Sequence, residues 1–130
     1  MSVRITEEVK AFIEANKPCM VATANAKGEP NVSPKGSIAV VDEEHVAFAD
    51  VHSPRTRQNL KENPRACVLL VNAQERKFYQ LSGCAEYLTS GPLYDGMAAA
   101  MKQRMPTLPP VAGVVKIRVE EIRGFGGASK

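Results

Sequence analysis

The fold of this chain is decided by residues 46–66, which read VAFADVHSPRTRQNLKENPRA. The opening run, Val46–Val51, is apolar and typical of a buried strand. Ser53 is placed to act as the N-cap of a following helix, and Pro54 suits the first helical position. The pair Asn63–Pro64 ends that helix, because proline disfavours helical dihedrals in the residue before it. The stretch therefore predicts a strand that leads directly into a short helix.

The predicted helix is poorly suited to the core, because Leu60 is its only large apolar residue. Its first turn instead offers free backbone N–H groups and the positive end of the helix dipole, beside the hydroxyls of Ser53 and Thr56. Arg55 or Arg57 adds a guanidinium, and this combination suits a phosphate dianion. The pattern predicts a phosphate site at this turn. The alternative is a solvated basic helix, which is common on protein surfaces.

Length and charge limit the remaining possibilities. Residues 1–130 are predicted to form one domain, because this length allows a single hydrophobic core and is short for two. The formal net charge of +3 comes without a dense block of basic residues, so no nucleic-acid partner is expected. No apolar run approaches the roughly 20 residues that span a bilayer, and no signal-peptide segment is visible. We expect a cytoplasmic protein with no membrane segment.

The cysteines agree with a reducing compartment. Cys19, Cys67 and Cys84 are odd in number, lie far apart, and each falls in a strand-like run. Neither a Cys-x-x-Cys pair nor a cluster of histidine and cysteine is present in the sequence. They are therefore interpreted as small thiols buried in strands, with no metal site.

Most of the sequence predicts antiparallel strands. Cys19–Ala24 and Pro30–Val41 form a hairpin around a turn at Asn25–Gly28. The second arm is expected to break at Ser33–Gly36, because proline removes a ladder donor and glycine removes a side chain. Further strands are predicted at Ala66–Val71, Lys77–Leu88 with a bulge at Gly83, and Val114–Ile122, and a first helix is capped by Thr6.

A third helix begins near Pro92 and carries Leu93, Met97, Met101 and Met105 at i, i+4 spacing. We interpret it as an amphipathic helix that lies over a barrel end, rather than as an adaptable binding surface. Gly124–Gly127 is predicted to be a flexible tail.

These elements define the fold class. The chain is predicted to be mainly β (α+β), a six-stranded antiparallel split β-barrel with flanking helices, because hairpin-like steps favour a closed or partly closed antiparallel barrel. A barrel of this size is filled by its own side chains. A slot for a large planar ligand therefore requires two subunits.

The strand, the basic turn and the helix ending in NLKENPRA at residue 66 resemble the signature of the pyridoxamine 5'-phosphate oxidase-like, FMN-binding split-barrel proteins. The resemblance covers nearly the whole chain in the order of its elements. It implies an FMN-binding oxidoreductase or electron-transfer protein, with FMN at a homodimer interface. The flavin then carries the redox chemistry, and the sequence requires no side chain as general acid or base.

The resemblance also implies which residues bind the cofactor. Arg55 and Thr56 stand where the family holds the FMN phosphate, next to Ser53. Ala49 and Asp50 flank the ribityl chain and ring. Gln80, expected to face inward from the long strand, reaches the cofactor of the partner subunit. The segment along the isoalloxazine ring consists of Ser33, Pro34, Lys35, Gly36 and Ser37.

Two other functions stay open at this stage. The same barrel can serve as a heme- or deazaflavin-binding module, and heme requires an axial ligand such as His45, His52 or a methionine. The chain can also be a cofactor-free interaction protein whose basic helix meets an acidic partner. The sequence does not identify the electron donor or acceptor, which can be a small molecule or a protein.

Overall fold

The structure is a computed structural model, and it describes residues 2–125 of the chain. Its elements are α1 (Glu7–Ala15), β1 (Cys19–Ala24), β2 (Pro30–Lys35), β3 (Ala39–Val40), β4 (His45–Asp50), α2 (Pro54–Glu62), β5 (Arg65–Asn72), β6 (Lys77–Leu88), α3 (Pro92–Arg104) and β7 (Gly113–Phe125). The predicted strand, helix and strand around residues 46–66 are confirmed as β4, α2 and β5.

The strands form one curled antiparallel sheet in the order β2-β1-β5-β6-β7-β4-β3. This arrangement confirms the mainly β split-barrel fold. The sheet has seven strands rather than six, because the second arm of the first hairpin is divided into β2 and the two-residue β3.

The division lies later in the chain than the sequence predicts. Pro34 and Lys35 still pair with Met20 and Cys19, and the strand ends only at Lys35. The proline is tolerated because β2 is an edge strand, so one side of it needs no ladder donor. The predicted break is therefore wrong for Ser33, Pro34 and Lys35, which belong to the strand, and is confirmed only at Gly36.

The core fills the concave face of the sheet. Val21, Phe48, Leu81 and Ile117 are fully buried there and come from four different strands. Helix α1 covers part of this core with Val9, Phe12 and Ile13. The predicted cap is confirmed, since the Thr6 hydroxyl accepts a hydrogen bond of 3.2 Å from the N–H of Val9.

Helix α3 packs on the other face of the sheet. Side chains alternate along a strand, so Ala47 and Ala49 of β4 point away from Phe48. They form a second apolar cluster with Val114 and with the ridge of α3 that includes Met97 and Met101. The methionine ridge is thus a packing surface, but it covers β4 and β7 rather than a barrel end. Met105 is 49% exposed and lies outside this cluster.

The convex face of β2, β1, β5 and β6 has no helix over it in the described part of the chain, and much of it is apolar. Register places Met20 beside Leu69, and places Val71 beside Phe78. We call this surface the outer apolar face, and define it by Met20, Val32, Leu69, Val71, Phe78 and Phe125. Four of its members are strongly exposed: Met20 by 38%, Val32 by 59%, Val71 by 51% and Phe125 by 64%.

The end of β7 corrects the predicted tail. Gly124 and Phe125 belong to the strand and pair with Tyr79 and Phe78. The ring of Phe125 stacks on that of Phe78, with centroids 6.0 Å apart. Residues 126–127 of the predicted tail lie outside the described residues.

All three cysteines are free thiols in strands. The predicted burial is confirmed for Cys19, whereas Cys67 and Cys84 are only partly buried. Cys19 is fully buried, and burial raises the pKa of its thiol to about 11. None of the helices described here is long and apolar enough to cross a membrane.

The register shift between Ser82 and Gly83 confirms the predicted bulge and yields a testable prediction. A Cβ atom on Gly83 would overlap the backbone carbonyl oxygen of Arg118, which cannot move without breaking the sheet. We expect Gly83→Ala to lower the free energy of unfolding by about 2–4 kcal/mol, measured by chemical denaturation.

The matched control is Gly96→Ala in α3, where an added Cβ meets no atom within 4 Å. This change should leave stability unchanged or raise it by about 0.5–1 kcal/mol. Equal stability of the two variants would contradict the packing described at the bulge.

Candidate functional site

The N-terminus of α2 is the starting point of the site. Ser53 occupies the N-cap position, but its hydroxyl makes no capping bond and instead accepts a hydrogen bond from Nζ of Lys35. The predicted capping role of this hydroxyl is therefore wrong, because a lysine from β2 competes for it. The first helical bond runs from the N–H of Arg57 to the Ser53 carbonyl at 3.0 Å. The N–H groups of Arg55 and Thr56 precede this bond, in the first turn, where an α-helix supplies no acceptor of its own.

The two residues predicted to bind phosphate lie on different sides of α2. Thr56 is 1% exposed and faces the sheet, and its Oγ1 has no hydrogen-bond partner among the described residues. Asn59, one turn later, also faces the sheet and donates to Oγ1 of Thr23 at 3.1 Å. Arg55 is exposed. The turn therefore presents a buried hydroxyl on one side and a solvated guanidinium on the other.

A second unpaired hydroxyl lies on β2. Ser33 pairs in register with the fully buried Val21, so it points to the concave face of the sheet. Its Oγ is shielded from solvent and has no partner in the part of the chain that the structure describes. Helix α2 contacts both β1 and β2. Two unsatisfied hydroxyls, on Ser33 and Thr56, thus belong to neighbouring elements, and buried polar groups are rarely left in this state.

Lys35 connects β2 to the turn before α2. Besides its bond to Ser53, its Nζ lies 5.7 Å from the centroid of the Phe48 ring. Burial lowers the pKa of Lys35, and the nearby Asp50 carboxylate opposes that shift. The ammonium group is thus held at the end of β4 by a hydroxyl, an aromatic face and a carboxylate.

Asp50 is the most deeply buried charged residue of the site, at 2% exposure. Its Oδ2 accepts a bond of 2.6 Å from the Tyr87 hydroxyl, and its backbone carbonyl accepts one of 2.8 Å from the N–H of Ala112. Its Oδ1 has no partner among the described residues. Burial and the contact with Asp50 raise the pKa of Tyr87. Asp50 therefore joins β4 to β6 and to the loop before β7.

The structure places the other predicted residues as follows. The backbone N–H of Ala49 donates to Oγ of Ser37 at 2.8 Å, so these two are in direct contact. Pro34 and Gly36 are exposed at the end of the edge strand. Lys35, Asp50 and Ser53 are brought together, whereas Gln80 lies apart from them on the outer face.

The expected inward orientation of Gln80 is wrong. Tyr79 and Leu81 on either side of it are buried in the core, and alternation along the strand turns Gln80 outward. Its side chain borders a groove of about 470 Å³ with Leu69, Val71, Phe78 and Phe125. It therefore lies within the outer apolar face.

Some residues of the site were not predicted from sequence. Tyr87 is distant in sequence from Asp50, and only the pairing of β6 with β7 and of β7 with β4 brings them together. The guanidinium of Arg57 lies 4.9 Å from the centroid of the Tyr87 ring. Arg57 is thus placed in the site, where the sequence left Arg55 and Arg57 as alternatives.

A cavity of about 480 Å³ opens beside these residues, between α2 and Ala112. Four of its lining residues share one face of the helix at i, i+3, i+4 and i+7 spacing: Pro54, Arg57, Gln58 and Lys61. That spacing is a sequence signal that could have identified the basic wall. His52 also borders the cavity, whereas His45 bonds to Asp42 at 2.8 Å. No cluster of metal-ligating side chains occurs within residues 2–125.

This chain is similar to known proteins over most of its length. The family model of pyridoxamine 5'-phosphate oxidase matches residues 5–126. The uncharacterised protein MJ0282 of Methanocaldococcus jannaschii is 34% identical over 122 residues, which are 92% of this chain and 80% of that protein.

Solved structures give the same architecture. HupZ of Group A Streptococcus is 30% identical, with a TM-score of 0.84, and the match covers 97% of this chain and 99% of that one. An FMN-binding protein of Syntrophomonas wolfei has a TM-score of 0.82 at 14% identity, covering 96% of this chain and 88% of that one. HutZ, the heme storage protein of Vibrio cholerae, has a TM-score of 0.64 at 22% identity, covering 95% of each chain. The last two matches concern the fold alone.

The bond between Tyr87 and Asp50 yields a prediction about stability. We expect Tyr87→Phe to lower the free energy of unfolding by about 1.5–3 kcal/mol, because it leaves a buried carboxylate without its donor. Tyr94→Phe is the matched control, since the Tyr94 hydroxyl donates at 2.7 Å to a neutral acceptor, the carbonyl of Val111. That change should cost about 0.5–1.5 kcal/mol. Denaturation curves that rank the two variants in the opposite order would contradict the role given to Asp50.

Proposed function

Because this chain belongs to the pyridoxamine 5'-phosphate oxidase family, we propose that it is an FMN-binding oxidoreductase or electron-transfer protein that holds FMN at a homodimer interface. The observation that carries the proposal is the pair of buried, unpaired hydroxyls on Ser33 and Thr56. In a protein without a ligand these groups lose their hydrogen bonds to water and gain nothing in return. A bound FMN would supply the missing partners, through its phosphate at Thr56 and through its ring at Ser33.

The phosphate would be held at the first turn of α2. Thr56 offers both its hydroxyl and its backbone N–H, and Arg55 offers a backbone N–H and a guanidinium. The helix dipole adds a positive potential at the same place. Ser53 and Lys35 complete the polar surroundings. These groups fit a dianion better than they fit a neutral ligand, because every group among them except the hydroxyls is a pure donor.

The flavin ring would lie along the end of β2. This strand is at the sheet edge, so its outer backbone groups are available to the polar rim of a ring. A Cβ built on Gly36 meets no atom within 4 Å, which leaves space at this point for a planar group. When bound, the flavin would supply the hydride or electron transfer. Ser33–Ser37, Ala49 and Asp50 would orient it through backbone and side-chain contacts.

The outer apolar face supports the homodimer. An exposed surface that joins Met20, Val32, Val71 and Phe125 is unfavourable in water, and contiguous patches of this kind commonly mark protein interfaces. Gln80 lies within this face. An outward orientation is the one that a residue needs to reach a ligand on the partner subunit, so Gln80 is retained in the proposed site.

Heme binding is the second candidate. It is favoured by the exposed His52 at the rim of the cavity, with Arg57 and Lys61 nearby to pair with propionate groups. The fold is compatible with heme, since the heme storage protein HutZ shares it. The absorption spectrum of the purified protein separates the candidates. A flavin spectrum supports the proposal, a Soret band supports heme, and saturable binding of a deazaflavin in place of FMN supports the deazaflavin module. A protein that binds none of the three would be the interaction protein.

The proposed phosphate site predicts the effects of two substitutions. Arg55→Ala should weaken FMN binding about ten- to hundredfold, because a charge-assisted contact is lost. Thr56→Val should also weaken FMN binding, yet it should make the FMN-free protein more stable, because an unpaired buried hydroxyl is removed. Affinity is measured by quenching of FMN fluorescence, and stability by thermal unfolding of the FMN-free protein.

The matched control is Lys10→Ala, which removes an exposed cation from α1 and should leave the FMN affinity unchanged. The combination expected for Thr56→Val, lower affinity with higher stability, distinguishes a ligand site from a packing defect. Unaltered FMN affinity in both site variants would remove the support for this phosphate site.

The proposed homodimer predicts that a charge in the outer apolar face changes the oligomeric state. Val71→Asp places a charge in the outer apolar face and should convert the dimer to a monomer, because burying an unpaired carboxylate is costly. The control is Val41→Asp, which also changes an exposed valine but lies near the β3 edge. Light scattering after size-exclusion chromatography measures both. A wild-type protein that is monomeric at high concentration would contradict the proposed interface.

A further inference from the structure

A cavity of about 260 Å³ lies between α3 and the loop that follows this helix. We call it the α3 cavity. Tyr94, Ala99 and Met101 contribute to its helix wall, and Leu108 and Val111 to its loop wall. None of the residues that line it belongs to the proposed FMN site. The α3 cavity is therefore a separate feature of the molecule.

The loop wall of the α3 cavity is held in place by hydrogen bonds. The Tyr94 hydroxyl donates at 2.7 Å to the carbonyl of Val111, a residue that is buried in the apolar cluster under α3. The N–H of Leu108 donates at 3.1 Å to the carbonyl of Met105. Restricted backbone dihedrals stiffen the loop further at its three prolines, Pro106, Pro109 and Pro110. The loop cannot collapse onto the helix without losing these bonds, so the cavity is preformed.

The walls of the α3 cavity are mostly apolar, and part of this apolar surface is exposed. Met105 is 49% exposed and Leu108 is 42% exposed, and both side chains line the cavity. Covering such surface with an apolar group removes it from water, which is favourable. Met101 and Met105 are unbranched and can adjust to the shape of that group. The walls therefore favour a ligand with a hydrocarbon body.

Lys102 supplies the one charge among the described residues that line the cavity. None of the ion pairs between described residues involves this lysine. The only other polar side chain in the walls is Tyr94, whose proton is already donated to Val111. The cavity thus matches a molecule with one anionic group. Any further charged or polar group on that molecule would lose hydration without gaining a partner.

We propose that the α3 cavity binds a small carboxylic acid with a hydrocarbon body, and that its carboxylate pairs with Lys102. A volume of about 260 Å³ holds roughly eight or nine non-hydrogen atoms, at the ~30 Å³ that a water molecule occupies in the liquid. A short unbranched acid such as hexanoate is of this size. Binding does not depend on FMN, since the two sites share no residue.

Three compounds of equal chain length provide the test. Hexanoate carries the carboxylate, hexanol is uncharged, and hexylammonium carries the opposite charge. Amide shifts in NMR spectra of the full chain should show saturable binding of hexanoate, with a dissociation constant of about 1 mM. The largest shifts should occur at Lys102, Leu108 and Val111. Hexanol should bind about tenfold more weakly, because the charge-assisted contact is lost, and hexylammonium should show no saturable binding.

The contact with Lys102 is tested by a change of charge. Lys102→Gln should weaken hexanoate binding about tenfold and leave hexanol binding unchanged, so that the preference for hexanoate disappears. Loss of this preference separates a charge contact from a general disturbance of the cavity. Arg104→Gln is the matched control, because Arg104 is a cation in the same last turn of α3 but does not line the cavity. This control should keep the preference.

The position of the hydrocarbon body is tested by filling the cavity. Ala99 lines the α3 cavity, so Ala99→Leu should abolish the binding of both hexanoate and hexanol. The matched control is Ala100→Leu, because the next residue of the helix lines a different groove. It should keep hexanoate binding. Leucine is a good helix former, and circular dichroism of each variant verifies that the fold is kept.

Several results would overturn the proposal. They are the absence of saturable hexanoate binding up to about 10 mM, equal affinity for hexanoate and hexanol, and unchanged affinity in Lys102→Gln or Ala99→Leu. One-for-one displacement of bound FMN by hexanoate would also overturn it, because the α3 cavity would then belong to the cofactor's site. A change of oligomeric state in Ala99→Leu, without hexanoate binding to the wild type, would show that a second copy covers the cavity instead.

Discussion

The geometry of the site depends on the hydrogen bonds made by one buried residue, Asp50. It lies at the end of β4, where the chain leaves the sheet and turns into α2. The carboxylate accepts a hydrogen bond from the Tyr87 hydroxyl of β6, and the backbone carbonyl of Asp50 accepts one from the N–H of Ala112 before β7. A charge at this depth is tolerable only with close partners. The hydrogen bonds of Asp50 therefore fix the start of α2 relative to β6 and to the loop before β7.

Lys35 extends this constraint to the edge of the sheet. Its ammonium is close enough to Asp50 to interact with it, and it bonds to Ser53 in the turn. Because Lys35 is the last residue of β2, the bond fixes the place where the strand ends relative to α2. Around this place, Ser33, Thr56 and one oxygen of Asp50 are left without partners among the described residues. These groups therefore do not bond to one another.

The sequence predicted the elements well because their signals are local. The prolines that bound α2, the apolar run of β4 and the alternation along β6 act within a few residues. The contact between Tyr87 and Asp50 has no local signal, since it depends on the pairing of three strands. Capping by Ser53 failed for the same reason, because Lys35 competes from another strand. The end of β2 was misplaced because proline is excluded only from strands paired on both sides, and its position at the edge is a property of the whole sheet.

The outward orientation of Gln80 reflects a difference between the two faces of the sheet: one forms the core, and the other is exposed. In strand β6 the core requires Tyr79 and Leu81, so alternation turns Phe78 and Gln80 outward. The same alternation in β1 and β5 exposes Met20 and Val71, and an apolar surface results where none of the helices in residues 2–125 packs. A small barrel fills its interior with its own side chains and has no room there for a planar ligand. The proposed cofactor would therefore lie at the rim of the barrel, with the proposed second subunit on the convex side.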